Sequence, residues 1–243
     1  MNKLTVMALL AVSGMIACQQ PAKTETAAKS EENGSSCMTF SSCDIAFGGI
    51  KFTESLNGGA SCVSLKDGVL MFDAPESTDL FNDPAGTVSN TVPAIFTEVD
   101  NTRPFTFRAR VKPGFAREAT YNAADLLVLV NDTLYQKLCF EQDERGAHRV
   151  VSVRTVGTSD DNNHDIITAE SVFLKISSDT RTIGSYYSLD GEEWHMVRLY
   201  KNSYPARLLV GIASQAPKKG RCLSCFSEMT LDSDPVTDFR MGI

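Results

Sequence analysis

The stretch EQDERG, Glu141 to Gly146, holds the pair of side chains best suited to bond-breaking chemistry in this chain. Glu141 and Asp143 stand two residues apart, so on a β-strand both carboxyls would leave the same face. An acid and a carboxylate about 5 Å apart is the arrangement that cleaves a glycosidic bond with retention. Just upstream, in LYQKLCFEQ, Leu134, Gln136, Leu138 and Phe140 alternate with Tyr135, Lys137, Cys139 and Glu141. The first set is mostly apolar and should face a core, which turns the second set the other way. On the same reading VVSVRTV offers Arg154 beside Ser152, and GIASQAP offers Gln215 beside Ala213. If these strands are neighbours, Lys137, Glu141, Arg154 and Gln215 form one row on one sheet surface. Sugar recognition needs a flat aromatic for the apolar face of the ring and amides, carboxylates and guanidinium groups for its hydroxyls. Tyr135, Tyr187, Lys137, Glu141, Arg154 and Gln215 supply that ensemble, while Trp194, the one tryptophan, is either a further platform or a cap on the core edge.

The elements that must position these residues are strands. From Phe52 onward the pattern has period two, broken by turn residues at short intervals, with almost no helical periodicity. In FTFRARV, Phe105, Phe107, Ala109 and Val111 share one face and Thr106, Arg108 and Arg110 the other, whereas ADLLVLVND is apolar on both faces, as a central strand should be. Asp190-Gly191 in SYYSLDGEEWHMVRLY should supply the positive φ angles of a tight hairpin turn, with Glu192 and Glu193 solvated beside it. GTSDDNNHD, Gly157 to Asp165, reads as a polar loop; its oxygen ligands suit calcium, although the spacing is not that of a calcium-binding helix–loop–helix. The sequence contains no H-E-x-x-H, phosphate-binding glycine loop or G-x-S-x-G elbow.

The N-terminus carries an address. Lys3 precedes an uncharged segment, Leu4 to Ala17, with the layout of a secretory signal and too short for a membrane span, which takes about 20 apolar residues. Met15-Ile16-Ala17-Cys18 resembles the bacterial lipobox, in which Cys18 is acylated and residues 1–17 are removed. Residues 18–36 have almost no large apolar side chain and should form a flexible tether reaching about 20–25 Å. About 205 residues, 37–243, are then left for one all-β domain. The formal charge of −7 and the lack of clustered Lys and Arg exclude nucleic acid as the expected partner. An exported chain with Cys37, Cys43, Cys62, Cys139, Cys222 and Cys225 favours disulfides, with Cys37, Cys43, Cys62, Cys222 and Cys225 the candidates.

Six stretches, ESTDLFNDP (76–84), FTFRARVKP (105–113), YQKLCFE (135–141), VVSVRTVGTSDD (150–161), YYSLDGEEWHMVR (186–198) and GIASQAP (211–217), together resemble an uncharacterised family labelled regulation-of-enolase-like, with a concanavalin A-like lectin/glucanase fold. The resemblance spans about Phe52 to Met229. It implies an all-β, two-sheet antiparallel jelly-roll sandwich with one concave sheet, and it brings Asp160, Asp161 and Arg198 into the candidate binding set. The sequence departs from the family at Tyr135, where tryptophan is usual, and in the cysteine pair Cys222 and Cys225. A β-glucanase of this fold class carries E-x-D-x-x-E, and here Gly146 stands where the second glutamate belongs. The expectation is therefore a membrane-anchored lipoprotein of the cell envelope, periplasmic or surface-exposed, that binds poly- or oligosaccharide on one sheet face without resident cofactor. The alternatives are a glycoside hydrolase or polysaccharide lyase using Glu141 or Asp143, and a structural or protein-interaction module.

Overall fold

A computed structural model of the protein describes residues 38–243. The expected signal segment, Cys18, the tether and Cys37 lie outside the described residues. The strands are, in chain order, β1 (Phe40–Phe47), β2 (Ile50–Leu56), β3 (Val63–Lys66), β4 (Val69–Ala74), β5 (Leu80–Asn82) and β6 (Val88–Asn90). They continue with β7 (Ala94–Asp100), β8 (Phe105–Lys112), β9 (Ala123–Asn131), β10 (Leu134–Gln142), β11 (His148–Val156) and β12 (Thr158–Ile166). The last are β13 (Val172–Ser178), β14 (Thr182–Ser188), β15 (His195–Lys201), β16 (Arg207–Gln215) and β17 (Cys222–Asp232). No helix among the described residues is long and apolar enough to cross a membrane.

Two large antiparallel sheets form a jelly-roll sandwich. One runs β1-β2-β7-β16-β9-β10-β11-β12 and the other β15-β14-β13-β8-β17-β4-β3, with β5 and β6 as a separate two-stranded ribbon. Alternation decides what lies between the sheets. Phe105, Phe107, Ala109 and Val111 of β8 meet Leu126 and Val128 of β9 and Leu138 and Phe140 of β10 in the main core, which removes their apolar surface from water. Thr106, Arg108 and Arg110 look outward, and β9 is buried along nearly its whole length because it is central and covered on both faces.

Two local expectations change. GTSDDNNHD is not a loop: from Thr158 it forms β12, paired with β11 from Val156↔Thr158 to Arg149↔Ile166. As the edge strand of its sheet it needs no apolar face, so the period-two hydrophobic signal is missing where a strand exists. Alternation also sends Asp160 and Asp161 to opposite sides, which breaks up the oxygen cluster that calcium would need. No group of three His, Cys, Asp or Glu among the described residues converges as a metal site. The Asp190-Gly191 turn is not a two-residue hairpin, because six residues separate β14 from β15. Gly191 has φ +84°, and the Asp190 carboxylate closes the loop by accepting the amides of Glu192 (2.8 Å) and Glu193 (2.9 Å).

Among the described cysteines the disulfide expectation finds no support, and Cys37 lies outside them. Cys43, Cys62, Cys139, Cys222 and Cys225 are free thiols. Cys222 and Cys225 lie three apart on β17, so they face opposite sides and stand about 10 Å apart, beyond the reach of a disulfide. Cys222 is buried against the Ser224 hydroxyl and the Ala123 carbonyl.

Candidate functional site

The outer face of the eight-stranded sheet carries a polar cluster centred on Lys137. Its cross-strand neighbours are Leu127 on β9 and Val153 on β11, so it leaves the sheet on the side away from the main core. The side chain is 2 % exposed. Its ammonium donates to Gln215 Oε1 at 2.9 Å and to Asp79 Oδ1 at 3.3 Å. The Gln215 amide passes the network on, donating to the Tyr121 carbonyl at 3.0 Å and to Glu141 Oε2 at 3.4 Å. Asp79 reaches this position because the segment before β5 bridges, at Thr78↔Ala216, to the residue that follows β16. The β5–β6 ribbon is pinned above the sheet by Asn82, whose amide donates to the carbonyls of Asp132 and Gly157 while its backbone N–H donates to Ser159 Oγ.

Between ribbon and sheet lies a cavity of about 620 Å³, within the size range of small-molecule sites. Lys137, Glu141, Val153 and Gln215 contribute to its floor, Asp161 and Asn163 of β12 to one side, and Asp79, Phe81 and Tyr121 to its walls. Tyr121 and Ser77, both at the cavity, hold positive φ angles of +66°, a conformation that bulky or branched side chains adopt only where the surroundings enforce it.

The electrostatics follow from burial. Burial acts to lower Lys137, but the negative groups around it, Asp79 foremost, outweigh that and hold the ammonium charged. Burial lifts the Glu141 carboxyl well above the ordinary range; Lys137 opposes the rise, and Asp125, Asp161 and Asp79 add to it. Asp161, on an exposed edge strand, has its carboxyl raised by partial desolvation at the cavity, again against the pull of Lys137. Beneath the floor, Asp125 pairs with Cys139 across β9 and β10. It is wholly buried and takes no hydrogen bond from nitrogen or oxygen. Burial pushes it up to about 6, with Lys137 opposing.

The site thus gathers Lys137, Glu141, Asp161 and Gln215 from the expected set. Arg154 is not among them. Its cross-strand partner is Gln136, not Lys137, so it points between the sheets and stacks on the Tyr200 ring at 4.8 Å. Arg198 also lies between the layers, donating to Ser152 Oγ at 2.8 Å and pairing with Asp160 at 3.2 Å. Tyr187 joins the main core and donates its hydroxyl to Asp165. Tyr135 is on the outer face yet sealed in an apolar cluster with Leu80 and Val92. Trp194 packs with Phe173, Tyr186 and Val236 on the far face of the second sheet, under the Lys175 ammonium at 3.4 Å. Asp143 follows the end of β10, where alternation lapses, and its carboxylate accepts from Arg149 (2.6 Å) and from the amides of Arg145 and Ala147. These bonds outweigh its burial and hold it below the ordinary carboxylate range, so it is a turn-closing group and not the partner of Glu141. Asp79, Phe81, Tyr121 and Asn163 are site residues that periodicity did not reveal. Asp79 and Phe81 lie within ESTDLFNDP, and nothing local distinguishes Tyr121.

A family model described as a protein of unknown function, DUF1349, matches residues 56–234. The chain belongs to this family. No curated protein matches the DUF1349 chain. Among solved structures it is similar to a functionally unknown protein from Saccharomyces cerevisiae, at 21% identity and TM-score 0.65, covering 82% of this chain and 97% of that one. It is also similar to the GH43 protein BlXynB of Bacillus licheniformis, at 17% identity and TM-score 0.56 over 72% of this chain. A xylan β-1,4-xylosidase from Bacillus halodurans C-125 gives 18% identity and TM-score 0.50 over 69% of this chain. The DUF1349 chain spans about a third of those two proteins, 35% and 34%, and at such identity the likeness is one of fold.

Proposed function

We propose that this protein is a carbohydrate-binding module that takes an oligosaccharide, or a stretch of polysaccharide, into the cavity between the β5–β6 ribbon and the eight-stranded sheet. The observation that carries the reading is the cavity itself: one aromatic wall, Phe81 and Tyr121, and a floor of ammonium, amide and carboxyl groups on rigid strands. Aromatic faces cover the apolar side of a pyranose, and such polar groups bind its hydroxyls. The GH43 likeness supports the reading as a matter of architecture. A glycan array followed by calorimetry on the chain tests it. Gln215→Ala should weaken binding by about tenfold or more, since it removes a buried donor and acceptor at once. Arg154→Ala should leave affinity unchanged, because that side chain lies between the sheets. Absence of binding to every glycan at about millimolar ligand would refute the proposal.

One observation favours a second reading. Glu141, a carboxyl whose proton burial holds more tightly than usual, shares the cavity with Asp161, and an acid beside a carboxylate is the equipment of glycosidic cleavage. Reducing-sugar release that Glu141→Gln abolishes would establish a hydrolase, and formation of an unsaturated product would establish a lyase. We further propose that acylation at Cys18 holds the domain at the cell envelope, on the strength of the lipobox resemblance. Loss of membrane fractionation in Cys18→Ser tests this.

A further inference from the structure

The charges at the cavity do not balance. Asp79, Asp83, Glu141, Glu144 and Asp161 line it against only Lys137 and Lys218. The Lys137 ammonium is already engaged by Asp79 and Gln215. Lys218 stands at the Tyr121 ring, 6.0 Å from its centroid. Asp83 is occupied with the amide of Ala85 in its own turn, and Glu144 lies 3.8 Å from Arg145. That leaves Glu141 and Asp161 as the acceptors facing the interior. Glu141 is 7 % exposed and receives one long bond from Gln215. Below them Asp125, wholly buried and outside the cavity lining, has only the Cys139 thiol as a donor and adds a further acid on the same side of the sheet. Each of these acids has at most one or two donors, Asp161 taking the Asn162 backbone N–H, and the component that would balance the set is a cation with several N–H donors.

We infer that the cavity selects saccharides bearing a free amino group, 2-amino-2-deoxy sugars in their ammonium form, and rejects uronates. The inference rests on the saccharide reading of the cavity. The ammonium donates to the Asp161 carboxylate and to a Glu141 carboxyl oxygen while the ring lies against Tyr121 and Phe81. A uronate carboxylate would meet like charge in a partly desolvated space, and the one buried ammonium is not free to receive it. The bulk of an N-acetyl group would remove both the charge and two of the three donors.

The test is calorimetric titration of the chain near neutral pH and low salt with four probes: a fully deacetylated glucosamine tetramer, its N-acetylated counterpart, a galacturonate tetramer and spermidine. The glucosamine tetramer should bind about tenfold tighter than the acetylated one, the size of one hydrogen-bonded charge, and the galacturonate weakest. The preference should shrink in Asp161→Asn, an exposed edge-strand change that leaves the core untouched, and in Glu141→Gln, and it should fall as salt screens the charges. Equal binding of the amino and acetylated tetramers would overturn the inference while leaving the saccharide reading intact, as would tightest binding of galacturonate. If spermidine binds and none of the three saccharides does, the saccharide reading falls and the inference that rests on it falls with it. If no probe binds, both fall.

Discussion

Asp125 is an acid buried away from water with only the Cys139 thiol as a donor, and its effect on the molecule is legible in a titration. Its pKa is about 6 in the fold against 3.8 for an ordinary aspartate. The native state therefore holds the Asp125 proton more tightly than the unfolded chain does. The stability this contributes is fully present below about pH 4 and is lost as pH rises through about 6. Asp125→Asn has no proton to lose, so its stability measured by urea unfolding should gain on the wild type by about 3 kcal/mol between those limits. Parallel stability curves for the two proteins would show that Asp125 finds donors in solution. Lys137 explains why the acid is tolerated at all, since its ammonium opposes the rise. At this scale the sequence was informative about type but not about partner. YQKLCFE marks Lys137 and Glu141 as outward-facing, while the Asp79 that neutralises Lys137 comes from 58 residues away.

Among the elements, the β10–β11 hairpin does most to shape the floor. Its turn is closed by the Asp143 carboxylate, which accepts from Arg145 N at 2.9 Å, Ala147 N at 2.8 Å and Arg149 Nε at 2.6 Å. Asp143→Ala leaves two amides and a half-buried guanidinium without that acceptor, and unfolding should become easier by about 2–3 kcal/mol. Ligand affinity should change by no more than about twofold, because the floor residues lie on the paired strands. A large loss of affinity with unchanged stability would instead put Asp143 in the site. The same hairpin shows how far alternation can be read. Within β10 it separates Gln136 from Lys137 correctly, the first bonded to Ser185 and Tyr200 between the sheets, the second facing the cavity. Across to β11 it fails for Arg154, because period two fixes which residues of a strand share a face but not which face that is. In VVSVRTV both sets contain apolar residues, Val150 in one and Val151 and Val153 in the other, so only the ladder Gln136↔Arg154 decides. β12 is a harder case: an edge strand polar throughout except for Ile166 at its end has no period-two hydrophobic signal, and its existence rests on hydrogen bonds to β11.

For the whole molecule, cohesion comes from the two sheets pressing their apolar faces together, without crosslinks among the described cysteines. Burial raises the Cys139 and Cys222 thiols, which lowers their thiolate content and their reactivity. In the absence of reductant, a thiol reagent should leave Cys139 and Cys222 unmodified in the native protein and modify all five described cysteines once it is unfolded. Reductant should leave the Tm in place, whereas loss of a structural disulfide would remove about 2–5 kcal/mol. A downward shift would restore the disulfide expectation. What the sequence determined by itself is an all-β domain, sandwich or barrel, and the outward turn of Lys137, Glu141 and Gln215, because period-two burial is a local property carried by each strand; the choice of a two-sheet sandwich was what the family resemblance implied. Tertiary structure alone decided that Arg154 and Trp194 stand apart from them, that Asp79, Phe81 and Tyr121 join them, and that a cavity exists. Those outcomes depend on strand register and on the ribbon crossing the sheet, contacts between residues far apart in the chain that no local pattern encodes.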